Sequence, residues 1–332
     1  MIERNEVNMK SKGGSELQAE RLYKYVPKEL TDQFQVTLSR VRDLDENKFR
    51  IYWIHDLPFD PELKHMSNQS SLDRFHEIVF CSQWQYNQFQ LVHNIPFQRN
   101  IRVINSGIVP IEYKPRDNKQ IRLIYTSTPQ RGLEILIPVF DALTKAYPNL
   151  DLHLDVFSSF KIYGWDEADK SFEPLYKMCR DHPNITYHGF QPNEVVREYL
   201  QKAHILAYPS IWMECNSASI AEAMSAGCMV VAPNYGGIVD GTGALGVHYQ
   251  WLEDKNQHAQ EFYGVLHAAI THVQTEDQQN YLQFVKMYAD NRYNITRFAG
   301  TWKSLMESVI QRNPPKSLRP VDSGNYFQYK TL

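Results

Sequence analysis

The chain has 332 residues, 42% of them hydrophobic, and a formal net charge of −3. That length fits one large or two ordinary domains with sizeable cores. The charge argues against general nucleic-acid binding, and no run of about 18 apolar residues is present to cross a membrane. The opening Met1-Ile2-Glu3-Arg4-Asn5-Glu6 lacks the apolar core of a signal peptide. Cys81, Cys179, Cys215 and Cys228 are far apart and lack metal spacing, which reads as reduced, buried thiols in a cytosolic protein. A cytoplasmic location is therefore expected, with peripheral membrane association left open.

Residues 1–12 are polar. Lys12-Gly13-Gly14-Ser15-Glu16 then opens a helix, with Ser15 and Gln18 as a capping box and Ala19, Leu22, Tyr23 and Val26 on one face. A Gly-Gly loop feeding a helix start suits either an anion or a tight turn. Phe34 to Val41 alternates as a strand, followed by the acidic turn Asp43-Leu44-Asp45-Glu46. Arg50 to Ile54 reads as a buried strand, so His55 falls at its C-terminal end, where side chains of an α/β sheet line the crevice. Glu77 to Cys81 and Ile101 to Ile104 are further strands, and the proline-containing stretch 111–120 reads as a linker.

A second βα series follows. Ile121 to Thr126 is a strand, Ser127-Thr128-Pro129-Gln130-Arg131-Gly132 a loop, and Leu133 to Tyr147 a helix. A cation in such a loop is well placed to meet a diphosphate. As a loop residue, Arg131 is expected to contribute little to a core. Leu152 to Phe157 and Ile185 to Tyr187 are strands, the latter closed by His188-Gly189-Phe190-Gln191. His204 to Tyr208 is a strand, and Asn216, Ser217 and Ser219 are good caps for a helix over Ala218 to Ala226. Gly227 closes that helix, and Cys228 to Ala232 is a buried strand. Helices are expected at 258–273, 278–290 and 295–311, and a tail at 313–332.

The helix start after the 204–208 strand is a natural anion site, because its first N–H groups are unpaired and its dipole is positive. Glu214 precedes it and Glu222 lies about a turn and a half inside it. A phosphate flanked by carboxylates suits a ligand with hydroxylated rings on each side of a diphosphate, a nucleotide sugar.

Glu214 and Glu222, with the flanks Tyr208-Pro209-Ser210 and Glu222-Ala223-Met224-Ser225-Ala226-Gly227 and the loop Tyr235-Gly236-Gly237-Ile238, resemble the Glu-x7-Glu motif of retaining GT-B glycosyltransferases (glycosyltransferase family 4-like). The resemblance extends in order through Gly13-Gly14, His55-Asp56, Phe80-Cys81-Ser82 and Val103 to Pro110. It implies an α/β fold of two doubly wound Rossmann-like domains facing across a cleft. An abbreviated acceptor-side domain would span 1–112, a donor-binding domain 120–294, and a helix at 295–312 would cross back. It also implies transfer of a sugar from a UDP-, GDP- or ADP-sugar to an acceptor hydroxyl (on a glycan, lipid or small molecule), with retention and neither metal nor cofactor.

On that resemblance His55, Glu214 and Arg131 serve catalysis. Gly14, Ser127, Arg131, Gly189, Phe190, Asn216, Ser217, Ala218 and Glu222 would bind the donor, Glu222 through the ribose and Glu214 through sugar hydroxyls. The chain departs from the family in three places. Cys215-Asn216-Ser217 stand where Gly-Phe-Gly or similar is usual. Tyr125 or Thr126 occupies the first of two usual cation positions. No apolar strand precedes the Gly-Gly loop. Asp43-Leu44-Asp45 matches the metal signature of the unrelated GT-A fold, although a solvated turn accounts for it as well. A nucleotide-sugar epimerase and a non-catalytic nucleotide-sugar binder are the alternative readings.

Overall fold

The computed structural model describes residues 13–95, 100–116 and 119–313. The chain divides into one unit formed by residues 1–107 together with 295–332, and another formed by residues 108–294. Residues 1–12, where the resemblance lacks a strand, and the tail from 314 lie outside the described residues.

In the first unit β1 (Phe34–Leu38), β2 (Phe49–Ile54), β3 (Glu77–Phe80) and β4 (Ile101–Val103) form a parallel sheet in that order. All of β1 and β2 is buried, since both faces of the sheet are covered. The period of two then sorts the side chains. Phe49, Ile51 and Trp53 enter one core with Ala19, Leu22, Phe298 and Trp302, while Tyr52 and Ile54 enter another with Phe75, Phe80 and Phe89. The helix Ile295–Arg312 thus belongs to the first unit, and its Trp302 ring meets Trp53 edge-on at 4.7 Å.

The expected capping box does not form. The helix Gly14–Tyr25 is capped by Gly13 without a side-chain bond. Gln18 is buried, and its amide exchanges hydrogen bonds with the Gly107 backbone at 2.7 and 3.2 Å, which Arg21 joins at 2.6 Å. A long-range backbone partner has replaced the local one.

In the second unit β5 (Gln120–Thr126), β6 (Asp151–Phe157), β7 (Ile185–Tyr187), β8 (Ile205–Ala207), β9 (Met229–Pro233) and β10 (Val247–Tyr249) form a parallel sheet in the order β10-β9-β8-β5-β6-β7. The chain runs outward from β5 to β7, then returns to β8 on the other side of β5. The crevice where strand order reverses lies between the C-terminal ends of β5 and β8, which is where open α/β sheets bind ligands.

Trp302→Ala should cost the first unit about 3–5 kcal/mol, the range for emptying a large aromatic from a core. Denaturant unfolding of the variant checks this. A midpoint unchanged from wild type would show that the helix is not part of that core.

Candidate active site at the strand-order reversal

Close backbone approaches bring the loops at the crevice together. After β5 the chain makes a short turn, Pro129–Arg131, and Gly132 then adopts a φ of 119°. A Cβ there would lie 2.0 Å from the Pro209 carbonyl oxygen, so only glycine lets the β5 loop press on the β8 loop. On the far side, Gly236 (φ 64°) bridges Glu214, and a Cβ on it would stand 2.6 Å from the Glu214 oxygen. The Gly237 amide donates to that oxygen at 2.6 Å.

Glu214 is the meeting point, only 5% exposed. Its Oε1 accepts from the Arg131 guanidinium and, at 2.5 Å, from the Tyr208 hydroxyl. Burial alone would lower the Arg131 pKa, yet Glu214 beside it raises it well above its ordinary value, so the guanidinium stays charged. Burial also pushes Tyr208 up and keeps it a hydroxyl donor. The guanidinium sits 5.8 Å from the centre of the Trp212 ring, which is 46% exposed. Arg131 is therefore part of a buried ion pair rather than a loop cation of little weight for stability. Tyr125, at a usual cation position, is buried, and its hydroxyl donates to the Thr128 carbonyl at 2.8 Å.

The helix Ala218–Ser225 starts beside this pair, with Ser217 as N-cap accepting from the Ile220 amide. Ser219 Oγ donates to the Thr126 carbonyl at 2.9 Å and ties the helix start to the end of β5. Ser127 is half-buried in the same loop. Thr126 Oγ1, Thr128 Oγ1, Gln130 Oε1 and Arg131 Nε are buried here without a partner, which is uncommon for groups that cost free energy when left unbonded. Asn216, Ser217 and Ala218 thus present a positive helix end next to a guanidinium and unsatisfied polar atoms.

Glu222 has a separate set of partners. It is buried, and its carboxylate accepts from Asn193 Nδ2 at 2.9 Å and from Arg197 at 3.3 Å. Arg197 also donates to the Val109 carbonyl at 2.8 Å. Sequence reasoning missed both residues. Their i, i+4 spacing on the helix Asn193–Leu200 was the available signal.

Gly189 turns the chain after β7 with a φ of 63°, and Phe190 next to it is 37% exposed. His188 fixes this turn: its Nε2 meets Asp155 Oδ1 at 2.8 Å and its ring stacks on Phe157 at 4.3 Å.

His55 and Gly14 belong to the first unit. The His55 imidazole packs on Trp53 at 4.5 Å, its amide donates to Ser39 Oγ, and its Nε2 is buried without a partner. Burial pushes its pKa down to about 3, so the ring is neutral near pH 7. Gly14 is exposed, and a Cβ there would meet nothing within 4 Å. Asp43 and Asp45 lie in a turn pinned by Gln35, which donates to the Asp43 carbonyl and accepts from the Asp45 amide. Among the described residues no group of three or more His, Cys, Asp or Glu is placed to hold a metal, and no helix is long and apolar enough to cross a membrane.

Burial would raise the Asp155 pKa, but His153 at 3.7 Å, the hydrogen bond with His188 and the Arg122 charge hold it well below the usual carboxylate range. A depressed carboxylate contributes stability above its unfolded pKa of about 4, which is lost as pH falls below that value. The wild-type melting temperature should therefore drop more steeply from about pH 5 to pH 2 than that of Asp155→Asn. Parallel curves for the two proteins would exclude this linkage.

Residues 121–266 match the family described as Glycosyl transferases group 1. No curated protein matches the chain by sequence. Among solved structures, a glycosyltransferase from Rickettsia africae ESF-5 superposes with a TM-score of 0.68 at 13% identity, covering 92% of this chain and 85% of that one. Sucrose-phosphate synthase from Thermosynechococcus elongatus gives 0.66 at 13% identity, covering 89% and 80%. Anabaena HepE, solved with UDP-glucose, gives 0.61 at 16% identity, covering 88% and 82%. With a Glycosyl transferases group 1 domain over residues 121–266 and parallel-sheet Rossmann-like units matching GT-B structures, the chain is a glycosyltransferase.

Proposed function

We propose that the enzyme moves a sugar from a nucleoside diphosphate sugar to an acceptor hydroxyl, with retention of anomeric configuration and without a metal. The observation that carries this reading is the buried Arg131–Glu214 pair beside the capped helix start, at the strand-order reversal. A leaving diphosphate gains negative charge in the transition state. The Arg131 guanidinium and the amides at Asn216 to Ala218 stabilise that charge in a site already organised to do so. Glu214 accepts hydrogen bonds from the sugar hydroxyls, and Glu222, oriented by Asn193 and Arg197, accepts from the ribose. The unpartnered atoms of Thr126, Thr128 and Gln130 are further donors and acceptors for this ligand. The Cys215-Asn216-Ser217 stretch supplies backbone amides even though it lacks glycine.

His55 offers a neutral imidazole with an unused nitrogen, suited to a hydrogen bond with a sugar hydroxyl. Gly14, Ser127, Gly189 and Phe190 are proposed as donor contacts. Gly14 suits this because the chain's own packing makes no demand for a glycine there. HepE was solved with UDP-glucose, which supports a nucleoside diphosphate sugar of that class as donor. Catalysis in the cytoplasm fits this use of a donor.

Arg131→Ala should lower single-turnover rates about 10²–10³-fold, the usual cost of deleting one such donor. It should also destabilise the fold, because removing one partner of a buried pair costs about 3–5 kcal/mol. Arg131→Lys keeps the charge without the planar fork and should fall between the two. Adding Glu214→Gln to Arg131→Ala should recover melting temperature but not rate. Wild-type turnover in Arg131→Ala would remove Arg131 from the mechanism.

Turnover should persist in excess chelator. Loss of activity restored by a divalent ion would overturn the metal-free reading and return Asp43 and Asp45 to consideration.

A further inference from the structure

The loop that leaves β6 carries aromatic side chains that the proposed chemistry has not used. Strand β6 lies next to β5, so this loop leaves the same edge of the sheet as the Arg131 loop. It holds Phe160, Tyr163 and Trp165 against one another. Phe160 and Trp165 are stacked at 6.4 Å, Tyr163 and Trp165 are 5.2 Å apart, and Phe172 backs Phe160 at 5.4 Å. Trp165 is nevertheless 57% exposed.

The loop is braced. The Asp169 carboxylate accepts from Ser159 Oγ at 2.5 Å, the Phe160 amide at 2.7 Å and the Tyr176 hydroxyl at 2.6 Å. Gly164, with a φ of 71°, makes the turn that returns the chain so that the Trp165 amide donates to the Phe160 carbonyl. Asp166 and Glu167 beside the ring are offset by Lys161 at 3.8 Å and Lys170 at 2.5 Å. A large ring held open to water by this many bonds is preorganised to receive a flat partner.

A ligand at this edge is indicated independently. Ser158, at the end of β6, and Thr128, at the end of β5, are both more than nine-tenths buried, and their hydroxyls have no partner. The polarity of the ligand follows from the sheet. Glu214, the sugar-side carboxylate, lies toward β8 and β9. A nucleoside diphosphate sugar with its diphosphate at Arg131 therefore extends its nucleoside the other way, toward β6 and β7.

We propose that the Phe160–Trp165 loop is the platform on which the donor's nucleobase stacks, with the exposed Trp165 ring as the contact face. This rests on the nucleotide-sugar reading above. Trp165→Ala, Trp165→Phe and wild type are titrated by calorimetry with uridine, guanosine and adenosine diphosphates and with inorganic pyrophosphate. For the nucleotide that wild type binds best, Trp165→Ala should weaken affinity about ten-fold, the middle of the range for losing one base–aromatic stack. Trp165→Phe should keep most of that affinity. Pyrophosphate, which has no base, should bind all three proteins alike, and melting temperatures should agree because the ring is exposed.

Nucleotide affinity unchanged in Trp165→Ala, with wild type binding normally, overturns the platform and leaves the proposed function standing. Equal loss of nucleotide and pyrophosphate overturns it in favour of a structural role. A wild type that binds none of the nucleotides overturns the proposed function and the platform together.

Discussion

The candidate site at the carboxyl edge of the second sheet depends on backbones approaching closer than any side chain allows. Gly132 lies against Pro209, and Gly236 against Glu214, at separations that a Cβ would turn into overlap. These contacts draw the loops of β5, β8 and β9 onto one carboxylate. Once the loops are that close, Glu214 is out of water, and its charge is tolerable only because Arg131 and Tyr208 meet it. The buried ion pair is thus a consequence of the glycines. Its value lies less in net stability than in holding a guanidinium rigid, charged and partly open toward the crevice.

The same logic explains which features were legible in the sequence. Strands with both faces covered read as continuous apolar runs, so β2, β3, β5 and β9 were recognisable within a residue or so of their ends. The helix at Ala218 was legible because its cap, its alanines and its closing Gly227 are all local. The partner of Glu214 was not. Arg131 is 83 positions away, and the two meet only because β8 returns to the far side of β5. Gln18 failed in the opposite sense: a local capping pattern was present, but the Gly107 backbone offered two buried bonds in place of one exposed one. Glu222 was correctly placed in an apolar helix, yet nothing around it pointed to its partners: Asn193 and Arg197 come from the helix following β7, where only their own i, i+4 spacing marked them as a pair.

The loops along the carboxyl edge of the second sheet divide the work by position. Those from β8 and β9 supply acid and tight backbone. The β5 loop supplies the cation and unsatisfied polar atoms. Those from β6 and β7 carry aromatic faces, with Trp165 on one and Phe190 on the other, and each is braced by an aspartate, half-buried Asp169 on the first and buried Asp155 on the second. Asp169 gathers the β6 loop, and Asp155 holds His188 beneath the Gly189 turn. Rigid loops on a fixed sheet let residues scattered along the chain act at one edge.

The assignment of Ile295–Arg312 to the first unit also bears on how the chain acquires its structure. Residues 108–294 are contiguous and can close their own sheet as soon as they have been synthesised. The first unit cannot, since Phe298, Trp302 and Met306 of its core arrive only with the closing helix. On the ribosome the usual order, amino-terminal domain first, is therefore inverted. The earlier-made sheet waits with Trp53 and its neighbours unsealed until residues 295–312 have emerged, an interval in which its apolar face is open to wrong contacts.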